Sequence, residues 1–338
     1  VSRDWSSDVC SSDLVRPARS SRPRSKDRPD YSKSATALVV AVDRGRTTCL
    51  IEKTGIILSA MKARELGKQS VVVGDQVGLV GDLSGEAGTL ARLVKVNPRK
   101  NELSRTIDDA EKVEKRIVAN VDQLAIVIAA KDPEPRHGFI DRALVIAYDQ
   151  GIKPMLIVTK TDLASASEFL KPYEDLEVEI FKTKSLNEGV KSGLFRGNPL
   201  KDLTSALSGK VTVLLGHSGV GKSTLVNSLV EGADRETGDV NDVTGRGRHT
   251  SSSAVALALN PGWIIDTPGV RSFGVAHIEA DRVISAFSEF ASVIAHCPKN
   301  CSHDEASCAL NDSDFNHSLT EKSKSRLVSL RRMLYSAS

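Results

Sequence analysis

Residues Gly216-His217-Ser218-Gly219-Val220-Gly221-Lys222-Ser223-Thr224 set glycines, one lysine and adjacent hydroxyls in the spacing G-x-x-x-x-G-K-[ST]. The residue types suit a phosphate cradle. Glycines let backbone N–H groups turn toward bound phosphate without interference from a Cβ, and the N-terminus of a following helix adds partial positive charge. In such a loop Lys222 reaches the β- and γ-phosphates and the Ser223 hydroxyl is a ligand for Mg²⁺. The loop needs a strand before it and a helix after it. Val211 to Leu215 is a short β-branched apolar run, and Thr224 to Val230 has helical spacing, so both requirements are met.

Two further segments stand at predicted strand ends. Asp266-Thr267-Pro268-Gly269 follows the apolar run Trp263 to Ile265 and resembles the D-x-x-G element of regulatory GTPases. There Asp266 would hold Mg²⁺ through water and the Gly269 N–H would sense the γ-phosphate. Thr159-Lys160-Thr161-Asp162 follows Met155 to Val158 and resembles the base-reading N-K-x-D motif, with Thr where the motif has Asn. The Asp162 carboxylate can accept both N1–H and the exocyclic amino group of guanine, with Lys160 lying over the base. Adenine would leave that carboxylate unpaired, a mismatch on the order of several kcal/mol.

A third chemistry lies near the C-terminus. Cys297-x₃-Cys301-x-His303-x₄-Cys308 supplies three thiolates and an imidazole, enough for tetrahedral Zn²⁺. No H-E-x-x-H pattern accompanies it to activate water, so the expected metal is structural. The alternative is three reduced cysteines in a loop. His296 is adjacent and could compete as a ligand, while His317 reads as a surface residue. Cys10 and Cys49 stand alone, a distribution that suits a metal site in a reducing cytosol better than a disulfide framework.

The elements that must position these groups follow from the chain in order. Ser6-Ser7-Asp8 recurs at once as Ser11-Ser12-Asp13, which resembles translated adapter read-through, and the segment has no continuous apolar stretch of a signal peptide. Val15 to Ser34 carries Arg16, Arg19, Arg22, Arg24, Lys26, Arg28 and Lys33 against Asp27 and Asp30, and reads as a disordered basic arm able to meet phosphate backbone. Net charge over the whole chain is only +3, so a nucleic-acid partner must be argued from such local patches. No apolar run approaches the ~18 residues of a membrane span.

Short β-rich runs occupy 35–98 at Ala37 to Val42, Thr47 to Glu52, Gly55 to Ser59, Val71 to Val73, Gln76 to Val80 and Thr89 to Val96, and predict a small OB-like barrel. This stretch has no Phe, Trp or Tyr, which argues against base stacking and for backbone or protein contact. Arg99 to Lys115 reads as a charged connector. Beyond it apolar strands alternate with helical patterns near Phe139 to Gln150, Ser165 to Tyr173 and Leu200 to Leu207, which predicts a doubly wound α/β sheet. Gly238 to Ser253 has no burial pattern and reads as a loop, and a basic helix is predicted from Leu319 to Leu334.

The order of the motifs is unusual. Thr159–Asp162 precedes the phosphate loop and D-x-x-G, whereas in ordinary GTPases the base-reading motif follows both. With a barrel before and a Cys/His cluster after, the chain from about Ala35 onward resembles the RsgA/YjeQ family of circularly permuted GTPases, as do Asn120-Val121-Asp122-Gln123 and Gly247-Arg248-His249-Thr250. The resemblance implies a GTP hydrolase that matures the 30S small ribosomal subunit and contacts 16S rRNA, a cytoplasmic monomer with GTP or GDP, Mg²⁺ and one Zn²⁺. It also implies that Thr250 lies in switch I and coordinates Mg²⁺ beside Ser223 and Asp266. Val270 stands where Ras-like enzymes carry a water-positioning Gln, and His249 is the family's candidate replacement, its imidazole suited to polarising water. Thr183-Lys184-Ser185 falls loosely at the base-backing loop.

The expected organisation is a tail at 1–34, a barrel at 35–98, a permuted GTPase domain at 99–275 and a helical zinc-binding module at 276–338. The nucleotide contacts expected are Thr159, Lys160, Asp162, Gly216, Ser218, Gly219, Val220, Gly221, Lys222, Ser223, Thr224, Asp266 and Gly269, with His249, Lys222 and Thr250 catalytic. Two other classes compete. A P-loop small-molecule kinase would want a lid with catalytic arginines, and leaves Asp162 unexplained. A nucleotide-independent RNA-binding adaptor would not need Lys222, Ser223 and Asp266 intact.

Overall fold

The computed structural model describes residues 31–43, 45–108, 113–184, 200–230, 254–267, 280–299, 301, 303 and 305–337. Five strands come first: β1 (Ala35–Asp43), β2 (Arg46–Ile51), β3 (Ile56–Lys62), β4 (Gln76–Gly81) and β5 (Ala91–Val96). They close on themselves in the order β1-β2-β3-β5-β4 and back to β1, with only the β3–β5 pair parallel. This is the OB-like barrel. Alternate residues point inward, so that Val39, Cys49, Ala60, Val77, Leu79 and Leu93 fill the interior. Burial pushes the Cys49 thiol up to about 12, which leaves it an inert core residue. The run Val71 to Val73 forms no strand of its own; Val73 bridges singly to Val118.

The charged stretch after the barrel holds a hairpin where a connector was expected, formed by β6 (Glu102–Asp108) and β7 (Val113–Ala119). The reason is that its charges serve one another. Arg99 donates to both oxygens of the fully buried Asp75, at 2.7 and 2.9 Å, and to Glu102 at 2.8 Å, while Arg116 reaches Glu102 at 2.5 Å. Leu103 and Val118, paired across the hairpin, are fully buried, as is Ala119. High charge density therefore hid an ordinary strand pair.

The α/β part runs β8 (Gln123–Ala129), α1 (His137–Asp149), β9 (Lys153–Thr159), α2 (Ser167–Glu174), β10 (Glu179–Lys182), α3 (Lys201–Leu207), β11 (Val211–Leu215), α4 (Lys222–Leu229), β12 (Val255–Ala258) and β13 (Trp263–Asp266). Strand order is β10-β9-β8-β11-β13-β12, parallel throughout except for β12. Every residue of β8 is buried, as a strand covered on both faces requires. Leu124, Ile126 and Ile128 meet Leu144 of α1 and Leu170 of α2 on one face. Ala125 and Val127 meet Leu203 of α3 and Leu225 of α4 on the other. The barrel and this sheet are continuous, because β1 pairs with β12 at Ala41 and Val255.

Helices α5 (Ala280–Ser285), α6 (Ala291–Ile294), α7 (Ser313–Ser318) and α8 (Glu321–Ala337) complete the described chain. Leu330 and Met333 seat α8 in the same core as α1. Among the described residues no helix is long and apolar enough to cross a membrane.

Candidate functional site

Sheet topology brings three strand ends to one edge. Strand β11 lies between β8 and β13 in register, Leu214 opposite both Ala125 and Asp266, and β9 flanks β8 on the far side. The carboxyl ends of these parallel strands therefore point the same way, the edge at which doubly wound folds take ligands.

The phosphate loop leaves β11 at Gly216. A Cβ there would stand 2.5 Å from the carbonyl oxygen of Val127, so no larger residue fits so close to β8. At the other end Gly221, with φ +89°, precedes the first turn of α4, where Lys222 and Ser223 sit. Lys222 Nζ is folded back onto its own loop, donating to the carbonyls of Gly216 and of His217, the latter at 3.1 Å. Burial holds its ammonium below the usual lysine range. A cation held against carbonyls alone has every electrostatic reason to move to an anionic ligand.

The base-reading segment is fastened to this loop. Thr159 donates its hydroxyl to the Val220 carbonyl at 2.6 Å, with the Ile128 carbonyl at 3.2 Å. Thus the threonine that departs from the motif's asparagine still ties the two loops together. Lys160, with φ +55°, turns its ammonium onto the Asp132 carbonyl, a partner the sequence did not announce. Thr161 donates through both its amide and its hydroxyl to the Thr183 carbonyl at 3.1 Å, which brings the chain after β10 alongside. Asp162 is exposed at the end of this turn.

At the end of β13, Asp266 is buried, and the hydroxyl of its neighbour Thr267 donates to the Leu214 carbonyl at 2.9 Å. A buried carboxylate beside the Ser223-bearing loop is a fitting donor set for a hard divalent cation. Thr159, Lys160, Asp162, Gly216 to Thr224 and Asp266 thus lie along one sheet edge. His249, Thr250 and Gly269 lie outside the described residues. Sequence reading missed Asp132, and also Phe139, whose ring meets that of His217 with centroids 4.4 Å apart.

The Cys/His cluster is assembled. One ligand atom from each of Cys297, Cys301, His303 and Cys308 lies within 4.8 Å of the others. Cys297 Sγ stands 3.6 Å from His303 Nδ1 and 3.7 Å from Cys308 Sγ. His303 takes φ +64° and is buried with Cys308. A convergent three-sulfur, one-nitrogen set is compatible with one zinc ion. His296 is outside the cluster, its Nδ1 on the Ser292 carbonyl, and His317 is exposed.

Known proteins place this architecture. A family profile described as RsgA GTPase matches residues 96–276. The "Small ribosomal subunit biogenesis GTPase RsgA" of Pseudomonas aeruginosa (strain LESB58) is 38% identical over 244 residues, 71% of this chain and 69% of the relative. "Small ribosomal subunit biogenesis GTPase RsgA 1" of Vibrio vulnificus (strain YJ016) is 32% identical over 278 residues, 80% of this chain and 75% of that protein. Among solved structures, YjeQ from Thermotoga maritima is 25% identical with TM-score 0.59, covering 89% of this chain and 98% of its own. YloQ, described as a circularly permuted GTPase, shares the fold at 21% identity and TM-score 0.60, over 91% of this chain and 98% of its own. The matched profile spans all three strand-end segments, and by that match and the curated relatives the chain belongs to the RsgA GTPase family of GTP-hydrolysing enzymes.

Proposed function

We propose that this chain hydrolyses GTP in late maturation of the 30S small ribosomal subunit, as a cytoplasmic monomer that contacts 16S rRNA and switches with its nucleotide. The observation that carries the reading is the bond from Thr159 to the Val220 carbonyl, which joins a base-reading loop to a phosphate loop. A small-molecule kinase has no use for that union.

In this reading Asp162 accepts from guanine, Lys160 covers the base, and Gly216, Ser218, Gly219, Val220 and Gly221 wrap the phosphates with Ser223 and Thr224. Lys222 leaves its loop carbonyls for the phosphate oxygens, where its charge offsets the negative charge that grows in the transition state. His249 positions and polarises the attacking water, Thr250 closes over the γ-phosphate and the Gly269 N–H senses it. Ser223, Thr250 and Asp266 would hold Mg²⁺, which would offset the negative charge of the phosphates. Cys297, Cys301, His303 and Cys308 would hold one structural Zn²⁺. The barrel at 35–98 and the module at 276–338 are docking surfaces around the GTPase domain at 99–275.

Hydrolysis of GTP and of ATP by the full chain and by His249→Ala, each with and without purified small subunits, tests this. GTP preference, loss of turnover in His249→Ala and stimulation by the subunits are expected. Equal rates with and without subunits would remove the ribosomal role.

A further inference from the structure

The first turn of α1 faces two ways. Phe139 sets its ring against the imidazole of His217 in the phosphate loop. Asp141, two residues on and so about 200° round the helix, faces the opposite side and is fully buried. There it meets the C-terminal helix: Arg332 of α8 donates through Nη2 to Oδ1 at 3.0 Å and through Nε to Oδ2. Tyr173 of α2 donates its hydroxyl to the same Oδ1 at 3.2 Å, and the Arg332 guanidinium lies 5.2 Å from the Tyr173 ring centroid. His137 Nδ1 stands 2.9 Å from that hydroxyl, and its ring stacks on Phe169 with centroids 4.1 Å apart.

A buried ion pair adds little net stability, but it fixes geometry, because moving either partner strands the other charge away from water. The pair between Asp141 and Arg332 therefore sets how α1 sits on α8. On the other side of α1, the His217 carbonyl accepts from Lys222. Lys222 thus bonds to His217, His217 packs on Phe139, and the backbone of α1 joins Phe139 to Asp141 and its partner Arg332.

We propose that Phe139 and Asp141 are positioning residues for nucleotide binding: α8, locked by Arg332, fixes the first turn of α1, and Phe139 passes that placement to the phosphate loop through His217. Displacing α8 then alters nucleotide affinity without touching the cradle. The inference rests on the reading of Gly216 to Thr224 as the phosphate site, and Lys222→Ala separates the two. If Lys222→Ala binds a fluorescent GDP analogue as well as the unaltered chain, it is the site that is wrong rather than the brace.

The test measures affinity for that analogue in Phe139→Leu, Arg332→Gln and the double variant of the full chain, with amide hydrogen exchange over 216–222. Each single change is expected to weaken binding about three-fold or more, and the double variant no further than the worse single, since both break one line of contact. Exchange should rise at 216–222 in Arg332→Gln while β8 stays protected. The paired change Asp141→Asn with Arg332→Gln, which swaps the ions for amides, should recover binding to within about two-fold and serves if Arg332→Gln does not fold. The proposal is overturned if the double loss equals the product of the single losses, or if Arg332→Gln releases nucleotide and exchanges its loop amides as the unaltered chain does.

Discussion

Thr159 hands its hydroxyl hydrogen to the carbonyl of Val220 across 2.6 Å, 61 residues further along the chain. A planar trans peptide has its C=O and N–H pointing opposite ways, so turning the Val220 carbonyl onto Thr159 turns the Gly221 N–H away from it. Gly221, at φ +89°, accepts that setting without the strain a side chain would bring. The hydroxyl has a single hydrogen, and the Ile128 carbonyl at 3.2 Å is the weaker competitor. Thr159→Val keeps the shape and deletes the donor, leaving a buried carbonyl unsatisfied at about 1–3 kcal/mol. Affinity for GDP and GTP should fall alike by roughly ten-fold, with Thr159→Ser close to the unaltered chain; titration with fluorescent nucleotides measures both. A Thr159→Val protein that binds normally would mean the tether positions nothing.

Asp162 should decide which purine is accepted. Its carboxylate can only accept hydrogen bonds, which matches the two donors of guanine. In Asp162→Asn the side-chain amide offers one acceptor and one donor pair, and xanthine presents a carbonyl where guanine has its amino group. The ratio of GTP to xanthosine triphosphate hydrolysis should therefore drop by at least about a hundred-fold, since a site built to hydrogen-bond one edge rejects its mismatch strongly. An unchanged ratio in competing-substrate assays would take guanine reading away from this residue.

What was legible in the sequence was local. The phosphate loop, the segment after β9 and Asp266 each announce themselves by a few residues at the end of an apolar run, and the run itself predicts the strand that positions them. Partners far apart in sequence left no such mark: Asp141 and Arg332 are separated by 191 residues, and neither spacing nor composition links them. The β6–β7 hairpin was hidden for another reason. Glu102 and Arg116 look like solvated charges until they are seen paired with each other, with Arg99 joining Glu102 to the buried Asp75. Phe139 reads as one more apolar residue of α1, and only the fold brings it to His217.

Acid should loosen α8 at its other anchor before it unfolds the sheet. Burial raises the Glu289 carboxyl, but bonds from Arg326 and from the backbone outweigh it and hold the group below its ordinary value. A carboxylate depressed on folding contributes stability that is present above its unfolded value near pH 4.5 and is lost as pH falls through the folded one. Arg326 would then keep the Asp175 carbonyl at 3.1 Å, the Ala286 carbonyl at 3.5 Å and its place over the Phe287 ring. Protection along α8, taken relative to the intrinsic exchange rate at each pH, should fall as the pH drops below the ordinary value of 4.5 while β8 remains protected, and Glu289→Gln should remove that pH dependence. Exchange in α8 that tracks the whole sheet at every pH would show that this pair holds nothing separately.

Removing the metal should undo the C-terminal module and spare the sheet. Three thiols and an imidazole within 4.8 Å place four polarisable donors around one point, where thiolates repel one another unless a cation joins them. His303 also takes φ +64°, a backbone setting uncommon for a residue with a side chain, which turns its ring toward the sulfurs. The protein should carry about one zinc per chain by elemental analysis, and Cys308→Ser should lose most of it. Cys308 is buried against the core that seats α8, so protease should then cut between α6 and α8 in the variant and in the chelated protein. Strands β8, β9 and β11 draw their burial from α1 to α4 and should keep their hydrogen-exchange protection. A Cys308→Ser protein that retains its zinc, or a chelated chain as protease-resistant as the starting material, would reduce the cluster to four side chains that merely pack together.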